Sequence, residues 1–260
     1  MRRCLLQNLN DVEADLRAAR RISLFLDFDG TLAPLVQDPA QARLDGRTRE
    51  TLARLRGISR LTTILISGRA LSDIRDRVGL EGLIYAGNHG MEICGGGLRF
   101  VEATAAARRR ELLALSTGLA AGLRDVRGAM VEYKGLTTTV HYRRVAVGER
   151  ARLVRVVRAA IGPASRSFRL GASEMAMEIL PRSGWHKGEA VRWINQRLGA
   201  GEVLSLYLGD DLTDENAFRA LPGGITVRVG RCTATFARYC VADPPAVLQF
   251  LTWLVHHVAP

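Results

Sequence analysis

The sequence predicts an α/β fold, a doubly wound parallel-sheet core with an α+β segment inserted into it, on three observations. Short apolar runs alternate with helix-period stretches toward both ends of the chain, the alternation from which parallel sheets are built. Two of those runs, 24–26 and 203–208, break off into aspartates, and in open α/β sheets ligands bind beyond the carboxyl ends of the strands. From about residue 104 the order changes to α-β-β-α-β-β, with strands close enough in sequence to pair as hairpins. The expected domains are a core formed by 1–103 and 182–260, and an inserted domain at 104–181.

Taken in order, Asn10 or Asp11 can cap a helix reaching about Arg20, and 22–26 follows as the first strand. It ends in Asp27-Phe28-Asp29-Gly30-Thr31-Leu32, where Gly30 permits a sharp turn. With one residue between them, Asp27 and Asp29 leave a straight strand on the same side. Carboxylates that close repel unless a cation lies between them or one keeps its proton, and both solutions point to catalysis. An ordinary Asp-Gly turn is the plainer alternative. Residues 45–56 have helical spacing, and 61–66 is a second buried strand ending at Ser67-Gly68-Arg69. The Ser67 hydroxyl, the adjoining amides and the start of a helix at 70–78 together make an anion site. A third strand at 83–86 leads into Gly87-Asn88-His89-Gly90, in which Asn88 and His89 are candidate substrate contacts. Gly95–Gly97 lacks a following Gly-Lys-Ser/Thr and reads as a turn.

The inserted block reads as a helix at 104–124, strands near 129–133 and 137–143, a helix at 147–161, and strands near 167–170 and 175–180. Beyond it Lys187 opens a helix at 189–198, and the run 203–208 passes into Gly209-Asp210-Asp211-Leu212-Thr213-Asp214-Glu215. Four acids at a strand end form an oxygen-ligand site of the kind Mg²⁺ prefers. A helix start favoured by the dipole would account for Asp214 and Glu215, but not for Asp210. The last strand is expected near 225–229, and 245–258 reads as an apolar helix docked on the core.

Composition excludes several classes. The chain has 260 residues with 47% apolar content, enough for a proper core. No stretch is apolar for the length a bilayer demands, and the first fifteen residues turn acidic too soon for a signal peptide, so a cytoplasmic location is expected. Cys4, Cys94, Cys232 and Cys240 have no zinc-type spacing. The net charge of +11 comes from arginines spread along the chain, which reads as a solvated surface with no nucleic acid and no membrane as partner. Lys134 and Lys187 are the only lysines, two places where a compact ammonium is wanted instead of a planar guanidinium.

The motif Asp27 to Leu32 resembles the first motif of the haloacid dehalogenase (HAD) superfamily, whose phosphatases form an aspartyl-phosphate. A strand ending in Ser67, then Lys187, then the acids from Asp210 follow in the order that superfamily requires. Roughly 35 residues separate Thr31 from Ser67 and about 120 separate Ser67 from Lys187, so the insertion that resembles its cap domains lies in the second interval. The chain is further similar to trehalose-6-phosphate phosphatases in GNHG with Glu92, in Val131-Glu132-Tyr133-Lys134, in Val140-His141-Tyr142-Arg143, in Glu178-Ile179-Leu180-Pro181 and in GDDLTDENAF.

That resemblance implies a HAD-like fold and a Mg²⁺-dependent phosphatase of trehalose biosynthesis, a monomer acting on a small-molecule sugar phosphate. Asp27 would be the nucleophile and Asp29 the acid and base, with Asp29 raised by burial or acidic neighbours. Ser67 and Lys187 would clamp phosphoryl oxygens. Gly68, Arg69, Asn88 and His89, with Glu132, Lys134 and Glu178 of the insertion, would bind substrate. The metal would fall to Asp27, Asp29 and Asp210, with Asp211 and Asp214 orienting its waters. One position departs from the family: Glu174 stands where a lysine is usual. It leaves room for another glycosyl phosphate, such as glucosylglycerol phosphate or sucrose phosphate. A sugar-phosphate sensor without the reaction is opposed by every catalytic position being filled.

Overall fold

A computed structural model of the chain describes residues 3–173, 175–199, 203–231 and 234–258; Glu174 and Cys232 lie outside the described residues. The chain divides into two compact units, one made of the residues up to Phe100 together with those from His186 onward, the other of Val101–Trp185.

The strands in chain order are β1 (Arg3–Cys4), β2 (Arg21–Leu26), β3 (Leu61–Ile66), β4 (Ile84–Gly87), β5 (Glu92–Gly95) and β6 (Leu98–Val101), then β7 (Met130–Tyr133), β8 (Thr138–His141), β9 (Phe168–Ser173) and β10 (Ala176–Pro181), and finally β11 (Val203–Gly209), β12 (Ile225–Val229) and β13 (Tyr239–Val241). The helices are α1 (Leu9–Ala18), α2 (Gly46–Arg56), α3 (Leu71–Val78), α4 (Ala103–Ala107), α5 (Arg109–Gly122), α6 (Val147–Ile161), α7 (Lys187–Gly199), α8 (Glu215–Ala220) and α9 (Pro244–Val258). No helix among the described residues is long and apolar enough to cross a membrane.

The first unit carries a sheet in the order β1-β13-β12-β11-β2-β3-β4-β5-β6, parallel from β1 through β4 and closed by an antiparallel β4–β5 pair. Alternate residues of its central strand serve opposite faces, as the two-residue period requires. Ile22, Leu24 and Leu26 join Leu16 of α1, Leu52 and Leu55 of α2, and Phe250 and Leu254 of α9 in one core. On the other face Ser23 bonds Asn195 of α7, and Phe25 stacks on Tyr207, which meets Phe218 of α8 edge-on. Helices therefore cover both faces, the doubly wound arrangement. β2 and β11 are neighbours, Leu26 opposite Leu208, so both strand ends that carry aspartates open at the same edge.

The second unit is a four-stranded antiparallel sheet, β7-β8-β10-β9, with α5 and α6 packed on it through Leu112, Leu119, Leu153, Val157 and Phe168.

Several element boundaries differ from expectation. The helix expected at 104–124 is two, because Arg108 leaves helical geometry (φ −93°, ψ 1°) between α4 and α5. The first helix starts at Leu9 after Asn8, earlier than Asn10 or Asp11. The stretch around Gly95–Gly97 is a turn, as expected, with all three glycines at positive φ, but it joins two strands, β5 and β6, that were not expected. The last strand is β13, not β12; with three residues it is too short to give a periodic signal.

Candidate active site

The site is built where β2 and β11 end. Asp27 follows β2 and is 4% exposed. Its amide donates to the Leu208 carbonyl at 3.0 Å, which ties the nucleophile candidate to the neighbouring strand. The chain then turns tightly: Gly30 N–H reaches the Ala33 carbonyl at 2.8 Å with Gly30 at φ +76°. A side chain at Gly30 would collide with the Asp210 carboxylate, so the glycine is what lets the two aspartate loops close on each other.

Lys187, the first residue of α7 and 2% exposed, projects its ammonium between two carboxylates. Nζ donates to Asp27 Oδ1 at 2.8 Å and to Asp214 Oδ1 at 2.7 Å. Asp214 is wholly buried and also accepts from Tyr207 Oη at 2.6 Å and from the Asp211 amide at 2.9 Å. Its oxygens are thus committed to holding Lys187 and the loop. Asp211 turns its own carboxylate to the Leu212 amide at 2.7 Å, capping the turn instead of joining the cluster.

Asp27, Asp210 and Asp214 each offer a carboxylate oxygen within 4.8 Å of the others. Three carboxylates against one ammonium leave an excess of negative charge in a desolvated place, and a cation or retained protons must offset it. The titration behaviour reflects that excess. Burial raises the Asp27 carboxyl well above its ordinary range, Lys187 opposing and Asp214 and Asp210 adding to the rise. Burial and the Asp214 charge push Asp210 up to about 7. Burial alone would lower Lys187, but Asp214 and Asp27 together hold it above its ordinary value. Burial, with the Asp214 charge added, also raises Tyr207. An all-carboxylate donor set pressed against a glycine fits a small hard divalent cation.

Asp29 parts company with Asp27. The acidic neighbours expected around it are replaced by Arg69, which donates Nε to Oδ2 and Nη2 to Oδ1, both at 2.6 Å. Ser67 is 1% exposed at the end of β3, its hydroxyl accepting from the Arg69 amide at 3.2 Å. The loop after β4 is laced to it: Asn88 N–H reaches the Arg69 carbonyl at 2.7 Å and His89 N–H the Ser67 carbonyl at 2.9 Å. Asn88 and His89 both have left-handed backbones (φ 50° and 58°), and a side chain at Gly68 would strike the His89 ring. Two consecutive non-glycine residues at positive φ mark a loop whose shape is imposed by its surroundings.

In the second unit, Lys134 Nζ stands 3.6 Å from Glu178 Oε1, and Glu132 Oε2 lies 2.7 Å from His141 Nε2. Tyr207, Asp73, Arg77 and His141 were not among the residues expected to act. The four-residue spacing of Arg69, just before α3, with Asp73 and Arg77 within it is the signal that could have revealed two of them.

The family described as Trehalose-phosphatase matches residues 25–238. An uncharacterised glycosyl hydrolase of Mycobacterium tuberculosis is 40% identical over 253 residues, covering 92% of this chain and 18% of that protein. A trehalose-phosphate phosphatase of Mycobacterium avium is 37% identical over 220 residues, covering 81% of this chain and 54% of that protein. The chain therefore spans a fifth to about half of these relatives' length. Among solved structures, the C-terminal domain of a C. albicans trehalose-6-phosphate phosphatase aligns over 98% of both chains with a TM-score of 0.82 at 22% identity, a likeness of fold.

Proposed function

The chain belongs to the trehalose-phosphatase family, and from that premise we propose that it hydrolyses trehalose 6-phosphate to trehalose and inorganic phosphate through an aspartyl-phosphate on Asp27. The observation that carries the proposal is the buried Asp27–Lys187–Asp214 arrangement beside Asp210, an aspartate fixed by an ammonium at a strand end. Asp27 attacks phosphorus from a position set by its own amide and by Lys187. Ser67 and the Lys187 ammonium offer donors to the phosphoryl oxygens. Asp29 gives a proton to the departing sugar oxygen, then takes one from the water that cleaves the aspartyl-phosphate. Asp27 and Asp210, with the Asp29 backbone carbonyl, would hold Mg²⁺. Bound there, the ion would offset repulsion between the nucleophile and the phosphate.

Residues 104–181 are proposed as the cap domain that selects the sugar, with Glu132, Lys134 and Glu178 as hydroxyl-binding groups, since each can accept from or donate to neighbouring hydroxyls. Gly68, Asn88 and His89 border Ser67 and complete the proposed substrate contacts. A monomer working in the cytoplasm on a small sugar phosphate is part of the same proposal. Glu174, by its sequence alone, leaves room for an alternative substrate of the same class, glucosylglycerol phosphate or sucrose phosphate, in place of trehalose 6-phosphate.

The test is phosphate release from trehalose 6-phosphate, sucrose 6-phosphate, glucosylglycerol phosphate and glucose 6-phosphate, with Mg²⁺ and with EDTA. Preference for trehalose 6-phosphate, abolished by EDTA, is expected. Preference for another of the four moves the substrate and keeps the mechanism, whereas no turnover of any refutes the proposal.

A further inference from the structure

We infer that Arg69 is a positioning residue for proton transfer, fixing the Asp29 carboxylate by a guanidinium fork that is itself anchored by Asp73 and Arg77. The inference rests on the phosphatase proposal and reassigns Arg69 from substrate contact to holder of the acid–base group.

Arg69 has five N–H donors in a rigid plane. Nε and Nη2 grip the two oxygens of Asp29 at 2.6 Å, Nη2 also reaches the Pro39 carbonyl at 3.0 Å, and Nη1 reaches Asp73 Oδ2 at 2.9 Å. Four donors are engaged, so no bidentate edge remains for a phosphate or a pair of hydroxyls. The fork does not float. Asp73 is held in turn by Arg77 Nε at 2.8 Å, and Arg77 Nη1 bonds the Ala42 carbonyl at 2.7 Å, which pins the loop that follows the Asp29 turn. Arg69 also lies over the Phe28 ring, 5.5 Å from its centroid.

Exposure separates the roles. The Arg69 side chain is 9% exposed and that of Asp29 35%. Asp29 is accessible, while the group that orients it is buried behind it. A general acid must lie within hydrogen-bond reach of the leaving oxygen, and a carboxylate on a turn has rotamer freedom that would spoil this. In the step concerned, an Asp27 oxygen bonds to phosphorus, the bond from phosphorus to the sugar oxygen breaks, and the Asp29 proton passes to that oxygen. Lys, with a point charge and no fork, cannot orient both carboxylate oxygens.

The readout is leaving-group dependence. A sugar alkoxide needs the proton; p-nitrophenolate and the acetate released from acetyl phosphate do not. Only steps through departure of the leaving group enter kcat/KM, so later hydrolysis of the aspartyl-phosphate does not blur the comparison. With the 260-residue chain and Mg²⁺, Arg69→Met should lower kcat/KM for trehalose 6-phosphate relative to that for the activated esters by at least about tenfold, a fraction of what general-acid catalysis supplies. Arg69→Lys should recover little of the loss. Asp73→Asn, which touches neither Asp29 nor substrate, should lower the same ratio by about threefold and keeps the test valid should Arg69→Met misfold. Equal losses on all substrates, or no loss, overturns the inference while leaving the phosphatase proposal intact. A wild-type chain inert toward all of them overturns both.

Discussion

The two lysines of the chain lie one in each unit, and their surroundings differ in kind. Lys187 donates to two carboxylates at 2.8 and 2.7 Å, and Asp214, its closer partner, is itself held by Tyr207 and a backbone amide. Lys134 stands 3.6 Å from Glu178, an ion-pair distance beyond hydrogen-bond range, at the start of a tight hairpin turn through Gly135 at φ +84°. Lys187 is fixed by two carboxylates from separate segments of the core, whereas Lys134, its side chain 9% exposed, meets the Glu178 carboxylate at longer range within its own unit. Chemistry on a phosphoryl group demands the first arrangement, because a misplacement of an ångström costs orders of magnitude. Recognition of sugar hydroxyls, the role proposed for Lys134, tolerates a longer contact.

The sharpest way to break the comparison is to change a residue of each kind and ask where the loss appears. Asp27→Asn should lower kcat on trehalose 6-phosphate by about 10⁴ or more, since an amide cannot act as the nucleophile. Glu178→Gln should instead raise KM by about tenfold with kcat nearly kept, the signature of binding lost equally in ground and transition states. Steady-state kinetics on the two purified variants decides it, and an Asp27→Asn enzyme of wild-type kcat would remove the core from the mechanism.

Next in size is a folding effect that should exist for one lysine without any substrate. Lys187→Met leaves two buried carboxylates without their ammonium, and breaking a buried pair by removing one partner costs about 3–5 kcal/mol. Chemical denaturation in EDTA would register that loss. Lys134→Met should register chiefly in KM.

How much of this was legible beforehand follows the same division. The strands at 61–66 and the helix at 147–161 fall where periodicity placed them, because long amphipathic or continuous apolar runs leave little choice. The acids were visible because strand-end chemistry is punctuated by glycine and sharp polarity changes, and Lys187 stood out through the family resemblance and as one of two lysines in the chain. What escaped depends on contacts distant in sequence. Tyr207 looks like one more apolar strand residue until β11 places its hydroxyl on Asp214, and the partner of Asp29 lies forty residues away on the loop after β3. The break at Arg108 and the three-residue β13 escaped for want of any local signal strong enough to outweigh helix periodicity or to register as a strand.

A pH experiment sharpens the comparison from the metal side. In the metal-free core Asp210 is raised to about 7 from an ordinary 3.8. A carboxyl whose folded value exceeds its unfolded one contributes stability that is full below the unfolded value and is lost as pH rises through the folded one. The Asp210 contribution to metal-free stability should therefore decline between about pH 4 and pH 7, and Asp27, raised by the same burial, adds to the decline as pH rises. Mg²⁺ should bind more tightly across the same rise, releasing protons as it binds. Thermal melts with and without Mg²⁺, and calorimetry in buffers of different ionisation enthalpy, would test both. A metal affinity independent of pH would mean that the cation does not use Asp210.

The smallest expected effect is at Tyr207, and it asks whether over-determination matters at all. The tyrosine hydroxyl donates to the same Asp214 oxygen that accepts from Lys187. Phenylalanine there keeps the stacking on Phe25 and the edge contact with Phe218 and removes only that hydrogen bond. Asp214 keeps its bonds from Lys187 and from the Asp211 amide, so the carboxylate is not orphaned and the fold should lose only about 1–2 kcal/mol. If Asp214 is a fixed post for Lys187, slack introduced at Tyr207 passes to the ammonium and from there to Asp27, and kcat should fall by about three- to tenfold with KM unchanged. If kcat stays at the wild-type value while the stability loss appears, two donors already suffice to fix Asp214. Tyr207 is then a packing residue whose hydroxyl merely avoids burial without a partner.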